Sequence, residues 1–113
     1  MSLEVFASPT ENTPPVADTT AGKWTFSTPV NQISIDNNTG ARVYVLFNNN
    51  TTGASTSNYD IALNDTNGTC TSTLSGLGLN TVTQVSVWVA AGGTVGNLNI
   101  RGLAEPNNNA LKA

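Results

Sequence analysis

Between Val30 and Asn48 the chain runs VNQISIDNNTGARVYVLFN, and no other stretch constrains the fold as much. Ile33 and Ile35 alternate with polar neighbours, as do Val43, Val45 and Phe47 with Arg42 and Tyr44. Between the two runs lies Asp36-Asn37-Asn38-Thr39-Gly40, a cluster of turn formers. Side chains of a strand point to opposite faces in turn, so a period of two marks a half-buried strand. Two such runs around a turn cluster predict a β-hairpin. Nothing in the hairpin spells out a reaction.

The same grammar continues on both sides. Trp24 and Phe26 alternate with Thr25 and Ser27 in a short strand that Pro29 is expected to end. Asn48 to Asn58 is a long polar loop, and Tyr59, Ile61 and Leu63 then share one face of a strand. Residues 64–68 form an Asn-Gly turn, 69–74 a hydroxyl-rich strand and 75–80 a loop. Thr81 to Ala91 is the longest strand, with Val85, Val87 and Val89 as its inward row and Gln84, Ser86 and Trp88 on its other face. Gly92-Gly93 is expected to turn the chain so that Val95 to Leu103 pairs back, with Leu98 and Ile100 toward the core. About seven short strands separated by turn clusters predict an all-β protein, an antiparallel two-sheet β-sandwich or small jelly roll.

Composition agrees. Asn and Thr number sixteen and seventeen of the 113 residues, and charged residues are only 10 %. Asn, Ser and Thr compete for backbone hydrogen bonds and Gly adds backbone entropy, so helices are disfavoured. A chain of this length forms one domain. Residues 1–22, with Pro9, Pro14 and Pro15 and no periodicity, are expected to be an extended N-terminal arm. Residues 23–103 are the β-sandwich domain and 104–113 a polar C-terminal tail. Leu3, Val5 and Phe6 near the tip of the arm are the candidate anchor for a partner surface.

Several functions are disfavoured. Net charge is −3, and four scattered cations, Lys23, Arg42, Arg101 and Lys112, cannot track a phosphate backbone. The chain has no His, the commonest general base and metal ligand. Its single Cys, Cys70, has no partner for an internal disulfide and no flanking base to activate it. No signal peptide or membrane-spanning apolar run is apparent, so synthesis in a cytoplasm and no membrane partner are expected. Asp36, Asp60 and Asp65 are the acids of the domain; Asp36 and Asp65 are expected to cap Asx turns. Neither Asp36-Asn37-Asn38-Thr39 nor Asp65-Thr66-Asn67-Gly68 has the closing Glu of a calcium loop. The expectation is therefore no enzyme, no catalytic residue, no cofactor and no metal. Five glycosylation sequons, at Asn37, Asn49, Asn50, Asn64 and Asn67, are what chance gives in so Asn- and Thr-rich a chain. Trp24, Tyr44, Tyr59 and Trp88 could together form a sugar-stacking platform, with core or interface packing as the alternative, and Trp88 and Tyr44 are the candidate partner-binding aromatics, either at a subunit interface or as a glycan face.

ISIDNNTGARVYVLFN, YDIAL and the close VTQVSVWVAAGGTVGNLNIRGL together resemble the small β-structured virion proteins of tailed bacteriophages. These include capsid decoration (cement) proteins and head-accessory proteins. The resemblance covers residues 30–103. It implies an all-β domain, usually a homotrimer, on the outer capsid surface, with an arm touching the major capsid protein between capsomers and no catalytic residues. Two readings stand beside it: a carbohydrate-binding or adhesive tail or fibre module, and a neck or tail structural protein.

Overall fold

The computed structural model describes residues 5–30, 32–48, 52–63, 68–73 and 82–104, with backbone alone for 5–7, 68–73 and 103–104. Nine strands form in chain order: β1 (Val5–Ala7), β2 (Thr10–Thr13), β3 (Gly22–Val30), β4 (Gln32–Asn37), β5 (Val43–Phe47), β6 (Ile61–Leu63), β7 (Gly68–Thr73), β8 (Val82–Val89) and β9 (Leu98–Ala104). They build two antiparallel sheets, one ordered β1-β9-β4-β7 and the other β2-β3-β8-β5-β6.

The pairings are nested. β1 pairs with β9, β3 with β8, β4 with β7, and β5 with β6. That is one long antiparallel ribbon, folded back at the loop between β5 and β6 and then rolled so that successive pairs fall in alternate sheets. Rolling brings β9 beside β4 and β8 beside β5. Eight strands wound in this way are a jelly roll; β2 is an addition on the free edge of β3.

The winding corrects the hairpin expected over Val30–Asn48. Both of its strands form, but β4 and β5 lie in different sheets. Residues 38–42 carry the chain around the rim of the sandwich instead of back along one sheet. Asn37 and Thr39, 2 % and 3 % exposed, make that corner. Asn37 Nδ2 donates to Ala41 O (3.0 Å), while Thr39 Oγ1 donates toward Asn37 Oδ1 (2.6 Å). The same reasoning fails at Gly92-Gly93, because β9 crosses to the opposite sheet and does not pair back on β8. The two crossovers are tied to each other, Ala90 N donating to Arg42 O (2.9 Å) and Thr94 N to Thr39 O (2.8 Å).

The core lies between the sheets. Ile33 and Ile35 of one face Val43, Val45, Val85 and Val87 of the other, all at most 1 % exposed. Each such side chain contributes about 1.5–3 kcal/mol through burial. Trp24 and Phe26 extend the core along β3, and Val30 and Val82 close one end. Gly102 on β9 fits against Val30 and Phe26 because it has no Cβ; one built there would lie 2.7–2.8 Å from their side-chain atoms.

Two further expectations change. Pro29 does not end its strand but lies inside β3, exposed, where the register against β8 shifts between Thr25 and Val30. At an irregular point the missing N–H removes no ladder bond. Residues 5–21 are not a free arm, since β1 and β2 are edge strands of the two sheets. The turn between β2 and β3 is held by Asp18 N donating to Val89 O (2.7 Å). The domain's own strands hold the segment in place. The tail expected over 104–113 lies outside the described residues beyond Ala104, as do the turn at 64–67 and the loop at 75–80.

Candidate functional site

The outer face of the five-stranded sheet gathers the candidate side chains. On β8 the valines point inward, which turns Gln84, Ser86 and Trp88 outward. Register sets Tyr44 of β5 directly opposite Trp88 and Leu46 opposite Ser86. Arg42, two residues before Tyr44, stacks over its ring with the guanidinium carbon 5.4 Å from the centroid. Tyr59 meets the same ring edge-on, with centroids 5.0 Å apart at 60°.

The loop between β5 and β6 places Tyr59. Asp60 N donates to Val45 O (2.7 Å) and Phe47 N donates to Asp60 Oδ2 (2.9 Å), fixing the approach to β6. Tyr59 therefore lies outside the strand, 43 % exposed, on the opposite face from Ile61 and Leu63, whose side it was expected to share. Further along the loop, Ala54 N donates to Ser86 Oγ (2.9 Å), and Ala54 is 2 % exposed. This polar stretch is thus packed on the sheet, which is why Ser86 and Leu46 are buried on an outward face.

Two polar atoms on this face are buried without a hydrogen-bond partner: Trp88 Nε1, a donor, and Gln84 Oε1, an acceptor. Most buried polar groups are satisfied, and an orphan costs roughly 1–3 kcal/mol. Both orphans lie on the outer row of β8, at either side of Ser86.

The other candidates lie elsewhere. Val5 and Phe6 sit in β1, in register with Ala104 and Leu103, in the four-stranded sheet. That is not the sheet that carries Tyr44 and Trp88, and Leu3 lies outside the described residues. Asp36 is in β4, not in a turn, and its carboxylate lies 3.7 Å from Arg101 on the outer face of that sheet. Cys70 pairs in register with Ile35, and Asp65 lies outside the described residues. Among the described residues no group of three or more His, Cys, Asp or Glu could hold a metal ion, and no helix is long and apolar enough to cross a membrane. The arrangement offers ring faces and hydrogen bonds, the chemistry of binding.

Sequence reasoning named Tyr44, Tyr59 and Trp88 together with Trp24; the first three share one outer face, whereas Trp24 is buried in the core, and Arg42 and Gln84 were not named. Arg42 and Tyr44 are two apart on one run, so a shared face was legible for that pair. Tyr59 reaches the site through a loop, which periodicity does not describe. Compared with protein-family models, curated proteins and solved structures, the chain finds no match.

Proposed function

We propose that this chain is a capsid decoration protein of a tailed bacteriophage, seated between capsomers on the outer surface of the head and stabilising it. The observation that carries this reading is the jelly-roll winding, an architecture of viral capsid domains. It adds to the likeness of residues 30–103 to small phage virion proteins. A surface rich in Asn, Thr and Ser and poor in Lys and Glu loses little side-chain entropy when ordered against neighbours. The partner in this reading is the major capsid protein, the oligomer a homotrimer, and assembly takes place in the host cytoplasm. Val16, a large hydrophobic residue 50 % exposed, is the contact to test first.

The experiment adds purified chain to heads that lack it and follows sedimentation and thermal rupture. Saturable binding at micromolar protein, with a higher rupture temperature, is expected. Absence of saturable binding overturns the reading, and a monomeric mass by light scattering removes its trimer. Deleting residues 1–22 would remove β1 and β2, so it would test folding and not attachment. Deleting residues 1–4, which include Leu3, isolates the tip.

A further inference from the structure

We propose that the outer face of the five-stranded sheet at Tyr59, Tyr44 and Trp88 binds a neutral saccharide. The proposal does not depend on a place on the capsid and stands or falls separately. Three observations converge on this ligand class. Tyr59 presents a 43 % exposed ring, held edge-on against Tyr44 and not free to lie flat on the protein. Such a ring offers the apolar platform that the C–H face of a sugar covers. The rim beside it, Thr52, Ser57 and Asn58, is exposed and uncharged. Nearby, Arg42 stacks on Tyr44 and Asp60 accepts from Phe47 N, one charge of each sign, so the rim carries no net charge toward an ionic ligand.

The unpartnered atoms separate a sugar from an apolar peptide side chain. Trp88 Nε1 lacks an acceptor and Gln84 Oε1 lacks a donor. A hydroxyl group supplies either, and an aliphatic or phenylalanine side chain supplies neither. The register places Trp88 beside Tyr44, within reach of a ligand stacked on the tyrosine pair. Nε1 is shielded from solvent, and a hydroxyl that reaches it satisfies a donor that the free protein leaves unpaired. Gln84 lies four residues back along β8, about 13 Å away and beyond Ala54. The loop at Ala54 packs on Ser86 between the two residues, so Gln84 is not part of the saccharide face.

The test titrates the full chain with neutral gluco-, galacto- and manno-configured oligosaccharides while the two indole N–H resonances are followed by NMR. The Trp88 signal is expected to shift with saturation and that of Trp24, in the core, to stay. Tyr59→Ala should weaken the affinity about tenfold, which is 1.4 kcal/mol. Tyr59→Phe should restore most of it, and Trp88→Phe should abolish the indole response and weaken binding. Arg101→Ala, on the opposite sheet, should change nothing. The proposal is overturned if no saccharide moves the Trp88 signal at millimolar concentration, or if Tyr59→Ala binds like the parent. It is equally overturned if the face proves to join two copies of the chain, seen as a dimer that Tyr59→Ala dissociates and no sugar affects.

Discussion

Gly102 and Arg101 are adjacent on β9 and face opposite ways, and their energetics differ accordingly. The Arg101–Asp36 pair is 3.7 Å apart with side chains 49 % and 23 % exposed, so water screens it and it contributes less than about 1 kcal/mol. Gly102 faces the core, where Val30 and Phe26 fill the space a Cβ would need. Gly102→Val should therefore destabilise the fold by about 1–3 kcal/mol through overpacking. Chemical denaturation read by Trp24 fluorescence checks this, and an unchanged midpoint would refute the close approach of the sheets. Asn37 illustrates what sequence reasoning can miss at this scale. Its place in an Asx-rich cluster marked it as a turn former, and that holds. What the cluster could not reveal is that Asn37 and Thr39 are buried in the turn, which leads away from its own sheet.

At the scale of elements, the strands were largely legible because each has one apolar face. Ile33 and Ile35, the valines of β8, and Trp24 with Phe26 announce themselves by alternation. β1 and β2 did not. Three and four residues long, they are too short to show a period, and three prolines between residues 9 and 15 argued against a helix or a central strand. They form because edge strands need pairing on one side only. β1 covers Gly102 to Ala104 of β9, and its loss would leave that stretch as a bare edge, open to pairing with other chains. Deleting residues 1–7 should speed hydrogen exchange at residues 102–104 and promote aggregation on mild heating. Exchange unchanged from the parent would mean that β1 does not cover the edge in solution.

At the scale of the whole molecule, the winding governs folding. β1 joins β9, β3 joins β8 and β4 joins β7, so most sheet pairing connects distant parts of the chain. Loop-closure entropy is lost before those contacts form, and folding is expected in milliseconds to seconds and not microseconds. Stopped-flow refolding monitored at Trp24 tests this, and completion within the dead time would contradict it. The candidate site belongs to this scale too. Arg42 and Tyr44 share a run, but Trp88 reaches them only through the pairing of β8 with β5, and Tyr59 only through the loop that folds back over the sheet.

The period-two rows of the stretch from Val30 to Asn48, and their counterparts along the chain, determined that this protein is all-β with an apolar interior, because alternation dictates which side chains can be buried together. Which strands pair was decided by tertiary structure alone. A turn cluster states that the chain bends; whether it returns in the same sheet or crosses to the other depends on where the opposite apolar face lies. Here the rows of β4 and β5 bury against each other across the core, so the apparent hairpin opened into two sheets of a jelly roll. Its outward tyrosine, placed opposite Trp88, became part of the surface on which binding is proposed.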